Sequence, residues 1–169
     1  MRESTLNWYA IYVKSRHEFV TEGELRRKGI ETYLPSVKRL SRWKDRKKFI
    51  DFPLFSGYLF VHVQQRPEEF LNVLRTRGVV TLLSSEPGYP TPVPSEEIGS
   101  LRLLVESGKE LDIYPDLKEG TRVRVKKGPL KSAEGILKKK EDQYIFLVNI
   151  ELMGRSVGVK IYADEVEAA

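Results

Sequence analysis

The sequence predicts an α+β domain, with helices flanking a mostly antiparallel sheet, followed by a small all-β barrel. Three observations carry this. The run Gly57-Tyr58-Leu59-Phe60-Val61-His62-Val63 is β-branched, aromatic or aliphatic almost throughout, as a strand buried on both faces is. Strand-like and helix-like stretches surround it as far as Ser107. Beyond Leu117 the chain turns to short alternating strands spaced by turns. The first domain is therefore expected over 1–107, a linker over 108–117 and the barrel over 118–169.

Each element follows from local chemistry. Asn7 to Val13 alternates as a strand, with Trp8, Ala10 and Tyr12 on one face and Tyr9, Ile11 and Val13 on the other. Lys14-Ser15-Arg16-His17 is a basic turn, and Ser15 with Glu18 has the spacing of a capping box. The helix that follows runs to about Lys28, where Gly29 takes the C′ role. Ile30 to Leu34 is a short strand closed by Pro35. Val37 to Phe52 reads as a β-hairpin turning at Trp43 to Lys47. In the central strand Tyr58, Phe60 and His62 share an aromatic face; Leu59, Val61 and Val63 form an aliphatic face suited to a helix layer.

Pro67-Glu68-Glu69 opens a short helix, with proline at its head and acids at its positive end. Val79 to Leu83 is expected to be a buried strand, and 84–94 a loop. Ser95 is expected to cap a helix over 96–106, whose Ile98, Leu101 and Val105 make an apolar stripe. The linker 108–117 has no periodicity. Barrel strands are expected over 122–125, 133–137, 144–148 and 156–161.

Composition narrows the function classes. The 169 residues include no cysteine, which excludes disulfides, thiolate zinc sites and cysteine nucleophiles. No apolar run approaches the ~20 residues of a membrane span. The N-terminus lacks a signal-peptide core, so a cytoplasmic protein with no membrane partner is expected. The net charge of +5 leans toward polyanionic partners. The basic side chains concentrate in the hairpin, at Lys38, Arg39, Arg42, Lys44, Arg46, Lys47 and Lys48. No nucleophile, base and orienting group stand in a catalytic pattern, and no Walker or Rossmann spacing occurs, so neither an enzyme nor a cofactor is expected. His17 and His62 are the only histidines, which argues against a metal site; His62 reads as a strand histidine with its hydrogen bonds satisfied.

Four motifs in one order resemble the NusG family of transcription elongation factors. They are Trp8-Tyr9-Ala10-Ile11, then Pro53-Leu54-Phe55-Ser56-Gly57-Tyr58-Leu59-Phe60-Val61, then Arg77-Gly78-Val79 with Pro92-Val93-Pro94. The fourth is Gly120-Thr121-Arg122-Val123-Arg124-Val125 with Gly128-Pro129-Leu130 and Glu134-Gly135-Ile136, which looks like a KOW motif. The residues around Ser15-Arg16-His17, Trp43 and Asp45-Arg46-Lys47-Lys48 look more like the specialised UpxY- and RfaH-like paralogues. Three positions depart from the family pattern: Ser56 stands for a proline, Ser132 for a glycine and Met153 for an aromatic residue.

The resemblance implies an N-terminal domain that docks on the clamp helices of the largest RNA polymerase subunit, bears on non-template DNA and suppresses pausing or termination. Trp8, Tyr9, Phe55, Tyr58 and Phe60 are the candidate polymerase contacts, with Phe55 and Tyr58 favoured as surface and the other three open to a core role. Lys14, Arg16, His17, Arg75 and Arg77 lie on two turns that the resemblance brings to one edge; with Arg42, Lys44 and Arg46 they are the candidate nucleic-acid contacts. A solvated edge is the competing reading of that charge. The resemblance also implies an SH3-like KOW barrel, with Leu152, Met153 and Arg155 as candidate contacts for a ribosomal protein or the Rho terminator, in a protein acting as a monomer. A KOW-containing ribosome- or RNA-binding module is the alternative.

Overall fold

Strand alternation sorts β1 (Leu6–Val13) into two faces, and the sheet is built on that division. The structure, a computed structural model, describes residues 5–43, 46–115 and 120–169. Lys44 of the basic hairpin lies outside them, and Arg42 and Arg46 are described by their backbone alone. Two units make up the chain, Met1–Pro92 and Val93–Ala169.

In the first unit, β1 leads to α1 (Glu18–Arg27), β2 (Glu31–Tyr33), the arms β3 (Ser36–Trp43) and β4 (Arg46–Pro53), β5 (Tyr58–Gln64), α2 (Pro67–Leu74) and β6 (Val79–Leu82). The sheet order is β2-β5-β1-β6, with antiparallel pairing throughout that path. The hairpin β3–β4 forms a separate two-stranded sheet. Its base is closed by the Leu54 N–H donating to the Pro35 carbonyl at 2.7 Å.

One sheet face and the helices enclose the core. Tyr9, Ile11 and Val13 of β1 and Leu59, Val61 and Val63 of β5 pack with Leu25, Ile30, Phe70 and Val73. The aliphatic face of β5 therefore takes the helix layer, as alternation predicts. Tyr9 is part of this core, edge-on to Phe70 at 5.1 Å, and so is not a surface contact. Burial holds its phenol above the ordinary pKa.

Helix ends explain two outcomes. Gly29, at φ 78°, ends α1 as predicted: its N–H reaches the Arg26 carbonyl at 2.9 Å, and the Ile30 N–H reaches Leu25 at 3.1 Å. This is a Schellman closure, sealed by the buried Leu25 and Ile30. The capping box does not form. α1 opens at Glu18, with His17 in the cap position and no side-chain cap bond, so Glu18 stands at the first helical position rather than the third, and its carboxylate accepts the Gly57 N–H. Strand β6 also differs from expectation: it is a sheet edge, and its Val80 is exposed.

The short β7 (Pro92–Val93) straddles the boundary between units. The second unit continues with α3 (Ser95–Glu106), β8 (Asp112–Pro115), β9 (Thr121–Val125), β10 (Glu134–Lys140), β11 (Gln143–Ile150), β12 (Arg155–Ile161) and β13 (Val166–Ala168). Its six-stranded antiparallel sheet runs β13-β9-β10-β11-β12-β8. Ser95 lies inside α3 rather than capping it, and Ile98, Leu101 and Leu104 are the buried apolar residues of the helix, in place of the expected Val105. The Glu134 N–H donates to Ser100 Oγ of α3 at 3.3 Å. Residues read as linker from their lack of periodicity include β8, which pairs with β12 through four register positions.

Ser132, at a position where the resemblance leads one to expect glycine, holds φ 79°. Such a backbone costs a residue with a Cβ about 1–2 kcal/mol. It is held by the Ser132 N–H on Val125 at 2.9 Å and by the buried Ala133 beside it. The turn thus keeps the shape a glycine would take.

Tyr9→Ala should cost about 3–5 kcal/mol of stability, as large aromatic truncations in cores do, while Tyr12→Ala, on the opposite face, should cost less than about 1 kcal/mol. Denaturant midpoints of the two variants check this.

Candidate functional site

The second face of the sheet carries a row of aromatic rings. Register sets Trp8 opposite His62, Ala10 opposite Phe60 and Tyr12 opposite Tyr58. Tyr33 of β2 lies opposite Phe60 from the other side. Trp8 stacks on His62 at 4.5 Å, Tyr33 on Phe60 at 6.2 Å, and Tyr12 tilts against Tyr58 at 5.2 Å. His62 Nδ1 lies 2.8 Å from Glu31 Oε2, which satisfies the strand histidine.

Exposure divides this row. Trp8, Phe55 and Phe60 are buried, Phe55 with only 2% of its surface exposed. Tyr58 is half-buried, and Tyr12 is 41% exposed. Phe55, expected at the surface, therefore lies inside, in a turn closed by the Tyr58 N–H on the Phe55 carbonyl at 3.2 Å. The accessible aromatic pair is Tyr12 with Tyr58. Tyr12 was not singled out from the sequence, although its alternation with Trp8 and Ala10 carries the signal.

The turn that follows β4 is fastened at Gly57. The Val13 N–H donates to the Gly57 carbonyl at 2.8 Å, and the Gly57 N–H donates to Glu18 Oε2 at 3.4 Å. Glu18 is 6% exposed and sits at the positive end of α1, where a carboxylate is favoured. Gly57 holds φ 85°, and a Cβ there would press on the Tyr12 ring at 3.0 Å. The glycine thus serves both the turn and the aromatic pair.

The two basic turns meet. The Lys14 N–H donates to the Gly78 carbonyl, and Thr21 Oγ1 donates to the Arg77 carbonyl, both at 2.8 Å. Gly78, at φ 90°, lies so close to α1 that a Cβ would overlap Thr21 Oγ1. Lys14, Arg16, Arg75 and Arg77 are exposed at this corner, and His17 is half-buried with Nδ1 2.9 Å from the Ser15 carbonyl. Arg16 has φ 64°, a left-handed backbone that turns this residue sharply out of the chain path. Five of the eight candidate nucleic-acid residues are thus brought together. Arg42 and Arg46 stand apart, on the hairpin strands.

In the second unit Leu152 and Met153 lie on a 3-10 turn, Glu151–Met153, ended by Gly154 at φ 61°. With Arg155 they form one half-buried loop. Arg124 and Glu134 pair across β9 and β10 at 2.7 Å. Among the described residues no group of three or more His, Asp or Glu is arranged to hold a metal, and no helix is long and apolar enough to cross a membrane.

Known proteins are similar to this chain. A NusG protein of Borreliella burgdorferi, named a transcription termination/antitermination protein, is 24% identical, covering 95% of this chain and 97% of its own. A NusG of the same name from Staphylococcus aureus is 25% identical, over 95% and 94%. The solved structure of Thermotoga maritima NusG matches at a TM-score of 0.55 and 23% identity, over 96% of this chain and 97% of that one, which is a likeness of fold. The family described as transcription termination factor NusG matches residues 6–102, from the first strand through most of α3. The chain belongs to the NusG family of transcription factors.

Proposed function

We propose that this protein is a transcription elongation and antitermination factor that rides on RNA polymerase. Its first domain, over 1–107, docks on the clamp helices of the largest subunit. Its basic corner touches non-template DNA, and its barrel, over 118–169, recruits a second protein. The observation that carries this reading is the fastened Gly57 turn, which sets an accessible tyrosine pair beside a basic corner on one rigid frame. A helical pair presenting apolar side chains is the kind of partner an aromatic face accepts. Tyr12 and Tyr58 make the contact, while Trp8, Phe55 and Phe60 are buried and make none.

At the corner, Lys14, Arg16, Arg75 and Arg77 supply phosphate contacts, which position a protein without reading sequence. In the barrel, the loop of Leu152, Met153 and Arg155 holds the second partner, a ribosomal protein or Rho. The protein works in the cytoplasm as a monomer, needs no cofactor and performs no catalysis. The competing reading, a ribosome- or RNA-binding module, places its main contact in the barrel and none on the tyrosine pair.

Tyr12→Ala combined with Tyr58→Ala should weaken binding of the full chain to a clamp-helix fragment at least about tenfold, the loss expected of an interface hot spot. The melting temperature of the double variant should stay close to that of the wild type. Undiminished binding overturns the tyrosine contact, and binding to ribosomal RNA with none to the clamp helices supports the competing reading. Separately, Arg77→Ala should reduce cross-linking to non-template DNA in elongation complexes. The Arg77 fastening to Thr21 is through its backbone carbonyl, so the substitution leaves the corner folded.

A further inference from the structure

We propose that one face of the β3–β4 hairpin is a stacking platform for an unpaired DNA strand, with Phe49 stacking on bases and Lys38 and Lys47 contacting phosphates. Cross-strand register defines this face. Leu40 lies opposite Phe49, and Lys38 lies opposite Asp51. Residues two apart on a strand share a face, so Lys47, Phe49 and Asp51 line one side of β4, with Lys38 and Leu40 beside them on β3. Phe49 is 69% exposed and Leu40 is 52% exposed. Lys38, Lys47 and Asp51 are exposed as well.

A phenylalanine held this far into solvent contributes little to folding, and two-stranded ribbons lack a core to bury it. Its neighbours indicate what covers it. Asp51 is the one acidic residue among the described positions of the hairpin, against Lys38, Arg39, Arg42, Arg46, Lys47 and Lys48. An exposed aromatic plane flanked by cations is complementary to a single strand, whose bases offer π-faces and whose backbone offers charge. A paired duplex hides its base faces and cannot use Phe49.

Continuity selects DNA as the occupant. The hairpin base leads directly into the turn 54–57, which is bonded to Val13 and Glu18. Lys14, next in the chain, is bonded to the Gly78 turn. The base of the hairpin and the basic corner are thus fastened to one another through this turn. This inference rests on the corner's proposed contact with non-template DNA and extends it to a second contact.

The test is fluorescence anisotropy of the full chain with labelled oligothymidylate, its duplex with oligoadenylate, and oligouridylate; anionic phospholipid vesicles form a fourth arm. No polymerase is present, and binding of each variant to the clamp-helix fragment is measured separately. That separation distinguishes failure here from failure of the polymerase reading, and Arg77→Ala measured in parallel distinguishes it from failure of the corner's contact with DNA. Phe49→Ala should weaken oligothymidylate binding on the order of tenfold, with an unchanged salt dependence, and Phe49→Trp should restore it. Lys38→Ala with Lys47→Ala should reduce the slope of log affinity against log salt by roughly 1.4, or about 0.7 for each lost phosphate contact. Full-strength binding by Phe49→Ala overturns the proposal. So does equal or tighter binding of the duplex or of oligouridylate, and so does binding to vesicles alone.

Discussion

A single residue without a side chain, Gly57, ties the first unit together. Its carbonyl takes the Val13 N–H and its N–H turns to the Glu18 carboxylate. These bonds join the end of β1, the start of α1 and the approach to β5. The tyrosine pair and one side of the basic corner hang from these segments: Tyr12 precedes Val13, Tyr58 follows Gly57, and Lys14 to His17 lie between Val13 and Glu18. Burying a carboxylate is costly unless it is bonded or favourably placed. Glu18 meets that demand with the Gly57 amide and the helix end, so the bond couples the turn to the helix.

The second unit shows how a left-handed backbone position is held by a residue other than glycine. Ser132 occupies a left-handed backbone that a glycine would adopt freely, and the turn is retained through neighbouring backbone bonds. Gly135 and Gly158 are different, since a Cβ on either would press on the side chains or backbone of β11. Here close approach of chains makes the requirement, whatever the backbone angle. α3 carries a double membership. The family match runs into it as far as residue 102, yet the helix is packed with β10 and β11 and bonded to Glu134.

Much of this was legible in the sequence where the physics is periodic or local. Alternation separated Tyr9, Ile11 and Val13 from Trp8, Ala10 and Tyr12, and the structure keeps that division. Gly29 marked the end of α1 because only a left-handed residue closes a helix so economically. Long-range partners were less legible. Ser15 and Glu18 had the spacing of a capping box, but Glu18 bonds to a glycine 39 residues away instead. Phe55 beside a glycine bend looked like surface, since nothing local tells that the turn folds inward. β8 was hidden because four residues ending in proline show no alternation, and only pairing with β12 makes them a strand. The corner of basic residues came from resemblance, and its cause is the close approach of Gly78 to α1.

The central claim is that Gly57 is fastened from both sides and carries its surfaces as one body. Amide hydrogen exchange of Gly57 and Val13, followed by NMR in the full chain, tests it most directly. The account predicts that both amides are protected and open together, and that Glu18→Leu speeds exchange at both without unfolding Ile11 or Val61. Exchange of the wild-type Gly57 amide at the rate of an unprotected loop would contradict it.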